Sequence, residues 1–557
     1  MRFVSPIRAL LQAASVLLLA LPGPAVFPGS PVPAVGEEVL RDLAERGEAR
    51  VIISLRPSVT HAAVDPRPLE GRRRMDEVLE SLPEGTWGEA RRLNAVPAAA
   101  VRITGKALSG LLSDSRVSRI DRDEKVFGTQ TDPLSQIGAD RVQALGFSGQ
   151  GITVAVLDSG TDPLSNVDLD ASLDSEECFC SYGGGCCPDG SSRQSGPGSA
   201  ASVTSHGTGV IGIVTSDGIV APMGVAPGSR VVAVRVLDDG LIGTYSDILE
   251  ALDWVVENRK DVRLVNLSIA GGPFPPDCDH FNAFNEAVAQ LSAILRDRGG
   301  LIIASAGNHY SLTLMGSPAC VSSVVSVGAV DAADVVMPFS DAGPSLDLLA
   351  PGDHIPAAGS YGRIVTLTGT SAAAPHVTGA AALVLSAAPG LSAQELEDRL
   401  EGKGVPVVDA RNGATYPRVD AFRALVIPVE VDSHPAVHSP RSPGHGLSVR
   451  VEPPSPFLAA DLDPASLTLS AAGGLPVPAE IGEARLGDGD QDGILDLTVH
   501  FNRQQVMSGL FVPGTVSLTL EGSFFSGLDC RGRTSLLVLS TGNRVRAEGT
   551  GALRAAP

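Results

Sequence analysis

Apolar residues along the chain follow different repeats in different regions, and the change of repeat divides the sequence. Between residues 131 and 425, short runs of consecutive apolar residues alternate with stretches of helical periodicity, such as 246–258 and 281–298. Continuous apolar runs are typical of strands buried on both faces of a parallel sheet. The runs are 152–157, 230–236, 264–268, 300–305 and 324–327. This region is therefore predicted to be α/β, with helices covering a mostly parallel sheet.

The region before it, residues 37–130, predicts a small α+β unit. Its elements are a strand at 50–55, a helix at 75–82, a strand at 99–104, a helix at 107–112 and a strand at 117–120.

The region after residue 425 changes again. Residues 426–446 are rich in Pro, Ser and His and are predicted to be a linker; a metal site made by its three histidines is the less favoured alternative. From 447 to 557, alternating strands at 448–451, 495–501 and 516–520 are separated by Gly, Asp and Pro turns. This pattern predicts a small C-terminal β-sandwich.

The first residues have the pattern of a secretory signal peptide. Arg2 and Arg8 precede an apolar run at 9–21, and small residues follow it. We predict a signal peptide at 1–25, although cleavage could also follow Ala34. The run is shorter than the roughly 20 residues that cross a bilayer, so an uncleaved anchor is the less favoured alternative. The protein is expected to be secreted, extracellular or periplasmic, with no membrane span once the signal is removed.

Composition narrows the range of partners. Among 557 residues there are 42 Lys and Arg against 63 Asp and Glu, a net charge of −21. A basic surface for nucleic acid is therefore not expected. Aromatic residues make up 4%, so the cores must rest on Val, Leu, Ile and Ala.

Seven cysteines are compatible with an oxidising compartment. Four of them lie within ten residues: Cys178, Cys180, Cys186 and Cys187. A zinc site is less favoured than local disulfides, because the paired C-x₂-C spacing is missing. Four cysteines allow three pairings, and the sequence does not choose among them.

Three polar residues occur where an α/β sheet places its reactive groups. Asp158 follows a buried strand, His206 opens a helix in Ser-His-Gly-Thr-Gly, and Ser371 begins an Ala-rich helix. Each residue type alone is more often structural. Together, in the order Asp, His and Ser, they favour a catalytic role over a structural one.

These three segments resemble the signature blocks of the subtilisin-like (subtilase) serine peptidases. Four further blocks match, at 224–228, 266–272, 302–308 and 349–352, so the resemblance spans residues 131–425. It implies a three-layer α/β fold and a secreted serine endopeptidase in which Ser371 attacks the peptide bond, His206 moves the proton and Asp158 orients His206. Asn308 would bind the oxyanion.

The resemblance also implies a substrate groove and a precursor form. The groove walls would be Ser268, Ile269, Ala270 and Gly271 on one side and Ala304, Ser305, Ala306 and Gly307 on the other. Residues 37–130 resemble the inhibitory propeptide of the family, which would make the propeptide an intramolecular inhibitor that the enzyme removes itself. An accessory domain that stays attached is the alternative. Protein or peptide substrates are expected, and no cofactor for catalysis.

Further implications concern departures from the family and disulfides. Gly209 and Ala372 stand where the family often has His and Met, but neither carries the chemistry. On the implied fold Cys278 and Cys320 are expected to pair, which leaves Cys530. An inactive subtilase fold that binds peptides is the alternative function, and the complete set of catalytic residues argues against it.

One motif lies outside the resemblance. Carboxylates at alternate positions, followed by Gly493, are suited to a structural Ca²⁺, with an acidic turn as the alternative reading. The predicted ligands are Asp488, Asp490, Asp492 and Asp496.

Overall fold

The computed structural model describes residues 33–56, 70–93, 96–123, 132–162, 164, 166–434, 436–438, 446–472, 474–490, 492–508 and 513–539. The chain divides into two compact units, Met1–Thr129 and Gln130–Pro557. The predicted signal peptide, 1–25, lies outside the described residues. In the described part of the chain, no helix has both the length and the apolar character that a membrane span requires.

The first unit is a five-stranded sheet packed against helices. The strand order is Ala34–Val35, Val117–Arg122, Glu48–Leu55, Ala98–Thr104 and Trp87–Arg92, and the helices are Glu37–Arg46, Glu70–Glu80 and Gly105–Ser113. Alternate residues of Glu48–Leu55 point into the core, where Val51 and Ile53 pack with Met75 and Leu111. The three strands and two helices predicted here are confirmed, with boundaries that shift by up to five residues.

The second unit contains a ten-stranded mixed sheet. In order its strands are Val405–Val408, Thr415–Arg418, Leu348–Pro351, Val325–Val330, Leu301–Ser305, Val262–Leu267, Thr153–Asp158, Arg230–Arg235, Leu173–Phe179 and Arg193–Ser195. The eight inner strands run parallel, and the strand at each edge is antiparallel to its neighbour. All five apolar runs predicted as strands are strands.

Helices cover both faces of this sheet. Val154 and Val156 of the central strand belong to the core on one face, together with the helices Ser205–Thr215, Thr370–Ala387 and Ala393–Gly402. Ala155 and Leu157 belong to the core on the other face, together with Tyr245–Asn258 and Ala283–Asp297. Successive side chains of one strand thus pack into the cores on opposite faces of the sheet. Because both faces are buried, the strands are apolar at nearly every position.

The C-terminal part forms two further sheets. One contains Val426–Pro428, Asp529–Val538, Gly514–Ser523, Thr468–Ala471 and Val477–Pro478, with Val437–His438 beside Asp529–Val538; the other contains Glu430–His434, Gly446–Glu452, Asp496–Asn502 and Arg485–Gly487. Apolar side chains of both sheets share one buried core, for example Val449 and Phe501 with Leu469 and Leu518.

The predicted linker at 426–446 is wrong for most of its length. Residues 426–428, 430–434 and 437–438 are strands of these two sheets, and residues 439–445 lie outside the described residues. Alternate residues of Glu430–His434 are buried, so the segment has the period of a strand. The Pro, Ser and His residues of this region favoured a linker over the alternating pattern of a strand. The C-terminal sheets therefore begin at Val426.

Candidate active site

Asp158 and His206 form a hydrogen-bonded pair at the carboxyl end of the central strand. Asp158 is the last residue of Thr153–Asp158 and is completely buried, while His206 lies in the first turn of the helix Ser205–Thr215. His206 Nδ1 lies 2.7 Å from Asp158 Oδ1, which also accepts the Ser159 N–H at 2.6 Å. The negative charge of Asp158 raises the pKa of His206, although burial of the ring opposes this effect. The pair therefore holds the ring in one orientation and stabilises its protonated form.

Small residues let the His206 helix approach the Asp158 strand. The Gly207 N–H donates to Ser159 Oγ at 3.0 Å. A Cβ atom at Gly207 would lie 2.2 Å from the Gly160 carbonyl oxygen, closer than real contacts allow. Gly207 is thus required for the distance between the helix and the strand that brings His206 to Asp158.

Ser371 lies in the first turn of the buried helix Thr370–Ala387. Pro375, four residues later, has no N–H to donate to the Ser371 carbonyl, as a regular helix would require. Ser268 Oγ supplies that hydrogen bond at 2.8 Å. Ser268 Oγ accepts from Asn266 Nδ2 at 3.0 Å, and Asn266 Oδ1 accepts from Thr378 Oγ1 at 2.9 Å. A buried polar chain, which the sequence did not reveal, therefore fixes the turn that carries Ser371.

Asn308 lies beside the same turn. Its Oδ1 accepts from Thr370 N and from Thr370 Oγ1, each at 3.0 Å. A Cβ atom built on Gly369 would lie 3.1 Å from Asn308 Nδ2 and 3.3 Å from Ser371 Oγ, so both groups border the same small space. Because Thr370 holds Oδ1, the Nδ2 donor stays available; it makes no hydrogen bond to the described residues.

The helices that carry His206 and Ser371 pack against each other. The hydrogen bonds among the described residues do not include one between Ser371 Oγ and His206 Nε2. Such contacts are often long in the free enzyme and tighten when substrate binds. Asp158 and His206 thus form one pair, Asn308 lies beside Ser371, and the helices that carry His206 and Ser371 contact each other.

The two predicted groove walls come from adjacent strands. Ser268, Ile269, Ala270 and Gly271 follow Val262–Leu267, and Ala304 to Gly307 end and follow Leu301–Ser305. Sequence reasoning missed a third segment between them, the two-residue strand Met315–Gly316. The Gly316 N–H donates to the Ala306 carbonyl at 2.7 Å, and a Cβ on Gly316 would lie 2.8 Å from Ala270 Cβ. Gly316 therefore lines the space between the two walls.

A second His–Asp pair supports the Asn308 segment. The buried Asp341 accepts from His309 N, His309 Nδ1 and Ser311 N, at 2.9, 2.7 and 2.9 Å. The Asp341 N–H donates to the Gly307 carbonyl at 2.9 Å. Asp341 thus fixes the backbone on both sides of Asn308, and its bonds to His309 give that histidine a structural role.

His376, on the same helix as Ser371, is a buried structural histidine. His376 is fully buried, and its Nδ1 lies 2.8 Å from the Ala372 carbonyl. Burial lowers the pKa of His376 to about 4, so this ring is neutral at ordinary pH.

Comparisons with known proteins identify the family of this chain. A sequence profile of the Subtilase family matches residues 149–414. Subtilisin DY of Bacillus licheniformis is 34% identical over 282 residues, which cover 49% of this chain and 91% of that protein. The extracellular serine proteinase of Thermus sp. (strain Rt41A) is 29% identical over 369 residues, 64% of this chain and 82% of that protein. The chain belongs to the subtilase family. Because subtilases are serine endopeptidases, it is a serine endopeptidase.

A solved structure was also found by comparison of folds. The crystal structure of a cold adapted subtilisin-like serine proteinase shares 28% sequence identity with this subtilase. It covers 49% of this chain and 90% of its own, with a TM-score of 0.41.

Three disulfides join six of the seven cysteines of this subtilase. Cys278 pairs with Cys320, as expected from the resemblance. In the insertion between Asp158 and His206, the pairs are Cys178–Cys187 and Cys180–Cys186, which replaces the zinc alternative. The Ser181 N–H of this insertion donates to Asp247 Oδ2 at 3.0 Å, so the insertion is attached to the helix Tyr245–Asn258. Cys530 is free and buried.

The four carboxylates of the predicted Ca²⁺ site do not form one group. Asp488, Asp490 and Asp492 have oxygens within 4.8 Å of one another, and all three are exposed. Asp496 is buried and groups instead with Asp490 and with Glu452, a residue that the sequence analysis missed because it lies on another strand.

Proposed function

We propose that this subtilase cleaves peptide bonds by an acyl-enzyme mechanism in which Ser371 Oγ is the nucleophile. His206 Nε2 takes the hydroxyl proton as Oγ attacks the peptide carbonyl, and then gives it to the leaving amine. Asp158 keeps the proton on Nδ1 and stabilises the imidazolium that forms. In the second step, a water molecule attacks the acyl carbonyl while His206 takes a proton from that water. His206 then gives the proton to Ser371 Oγ, and the acyl group leaves as a carboxylic acid. The observation that carries the proposal is the 2.7 Å bond between His206 and a completely buried Asp158.

The oxyanion of the tetrahedral intermediate would be bound by two donors. Asn308 Nδ2 is available because Thr370 holds the other end of the amide. The backbone N–H of Ser371 lies in the first helical turn, where N–H groups have no acceptor within the helix. Donors held in this way would need little reorganisation when the negative charge forms. This chemistry uses protein groups alone and needs no cofactor.

Substrate would lie between the two groove walls, Ser268–Gly271 and Ala304–Gly307. These residues are mostly small, and Gly316 between them has no side chain to fill the space. This supports a pocket for a sizeable apolar side chain of a protein or peptide substrate.

The remaining proposals concern the regions outside the catalytic domain, 131–425. Residues 1–25 would be removed as a secretion signal, consistent with the extracellular relative. Residues 37–130 would serve as an inhibitory propeptide that Ser371 removes, supported by the separate compact fold of this unit. The two C-terminal sheets would form a β-sandwich domain, supported by their common core.

The test is the length and activity of the secreted Ser371→Ala protein. We expect this variant to keep residues 37–130 and to leave a casein substrate intact, while the wild type removes them and digests casein. Ser386→Ala is a matched control, since Ser386 lies at the far end of the same helix. A Ser371→Ala protein of mature length, purified away from other proteases, would contradict self-processing. Residual hydrolysis by the variant would contradict the assignment of Ser371, and a wild type without hydrolysis would favour the peptide-binding alternative.

A further inference from the structure

Three carboxylates converge at one end of the four-stranded C-terminal sheet. Glu452 ends the strand Gly446–Glu452, and Asp496 begins the neighbouring strand Asp496–Asn502. Val451 pairs with Leu497, so Glu452 and Asp496 lie side by side at the end of this pairing. Asp490 reaches the same place from the turn before Asp496, and one oxygen from each carboxylate lies within 4.8 Å of the others.

Asp496 shows that this group is more than an acidic surface. Its side chain is completely buried. Its Oδ2 accepts the Gly489 N–H at 2.8 Å, but the buried Oδ1 has no hydrogen-bond partner among the described residues. A buried carboxylate oxygen without a partner is costly and rare in folded proteins. The group therefore contains a buried oxygen that a bound cation would satisfy.

Among the described residues, the positive charge paired with these carboxylates is smaller than their negative charge. Arg450 is the cation that pairs with them, at 3.1 Å from Asp490 and 3.7 Å from Asp496, and it also pairs with Asp432. Glu452 has no ion pair among the described residues.

We propose that Glu452, Asp490 and Asp496 bind a Ca²⁺ ion that fastens the turn at 488–495 to the sheet. Oxygen ligands at about 2.3–2.6 Å from Ca²⁺ lie at most about 5 Å apart across the ion, which the 4.8 Å grouping satisfies. Water can supply the remaining ligands of the flexible six- to eight-oxygen shell that Ca²⁺ accepts, whereas Mg²⁺ demands a near-ideal octahedron. This assignment replaces the set of four aspartates with one centred on Asp496 and adds Glu452.

The test uses the full chain in a Ser371→Ala background, so that self-digestion does not interfere. After treatment with a chelator, the parent, Glu452→Gln and Asp496→Asn are compared by equilibrium dialysis with Ca²⁺ and by isothermal titration calorimetry. We expect each variant to lose one Ca²⁺ per chain or to bind it at least about tenfold more weakly. Glu480→Gln, which neutralises an exposed carboxylate in the same domain, is expected to match the parent.

Other outcomes would overturn the assignment. Equal Ca²⁺ stoichiometry and affinity in the parent and Glu452→Gln would reject it, and this variant remains informative if Asp496→Asn fails to fold, because the Glu452 side chain is not completely buried. Loss of the ion in Asp488→Asn and Asp492→Asn but not in Glu452→Gln would place it in the exposed turn instead. Equally tight binding of Mg²⁺ would contradict the choice of metal. None of these readouts depends on catalysis.

Discussion

The variant Ser268→Ala tests how the turn that carries Ser371 is stabilised. In Ser268→Ala, the Ser371 carbonyl loses its donor and Asn266 Nδ2 loses its acceptor. Each unsatisfied buried group costs about 1–3 kcal/mol, so the free energy of unfolding should fall by roughly 2–6 kcal/mol. At about 2 °C per kcal/mol for a large domain, the Tm should fall by about 4 °C or more.

Pro375 provides a rescue that only this explanation predicts. In Pro375→Ala, the new backbone N–H lies four residues after Ser371 and can donate to the orphaned carbonyl. The double variant Ser268→Ala/Pro375→Ala should therefore recover about 1–3 kcal/mol relative to the sum of the single changes. The Asn266 donor stays unsatisfied, so the recovery should be partial.

The assay is a thermal double-mutant cycle by calorimetry at a fixed scan rate, with Ser371→Ala as the background. That background removes self-digestion and keeps the backbone carbonyl of residue 371. Effects of the helix propensity of Ala and of the lost proline ring cancel in the cycle. If the two changes add within about 0.5 kcal/mol, the Ser371 carbonyl does not depend on Ser268 and the reasoning is wrong.

Three further predictions follow from single contacts. Asn308→Ala should lower kcat by roughly 10²–10³, a magnitude established on subtilisin itself, with little change in KM; an unchanged kcat would contradict its role as an oxyanion donor. Asp341→Asn should loosen the Asn308 segment and therefore lower kcat with little change in KM. Adding Asp341→Asn to Asn308→Ala should cause little further loss of kcat, and fully additive losses would contradict a role through Asn308. Burial, together with the charge of Asp347 and neighbouring acids, raises the pKa of Glu401 to about 7. The stability that Glu401 contributes should therefore be full below about pH 4.5 and lost as the pH rises through 7. Glu401→Gln should raise the Tm at pH 8 but not at pH 4.5, and equal shifts of the Tm at the two pH values would refute this.

The sequence predicted those parts of the molecule whose periodicity is long enough to read. The five strands predicted from apolar runs have five or six residues each, with a uniform pattern, so their positions could be predicted. Met315–Gly316 is a strand of two residues, too short for any period, and its place between the groove walls depends on bonds to distant residues. Glu430–His434 has the right alternation, but neighbouring Pro and Ser outweighed it.

Contacts between distant segments set the remaining limits. Asp158, His206 and Ser371 were found because each lies next to a recognisable strand or helix end. Glu452 lies 38 residues before Asp490 and carries no motif, so only the pairing of its strand with Asp496–Asn502 connects it to the carboxylate group. The pairing of the four cysteines in segment 178–187 likewise depends on the fold of the insertion, because their spacing alone allows three pairings.

Covalent labelling of the nucleophile tests the central claim most directly. The purified protein is treated with a fluorophosphonate, and the labelled peptide is located by mass spectrometry. The account predicts a single adduct on Ser371 that forms far more slowly in His206→Ala, because the imidazole activates the hydroxyl. An adduct on another serine, or labelling of Ser371 at the same rate without His206, would contradict it.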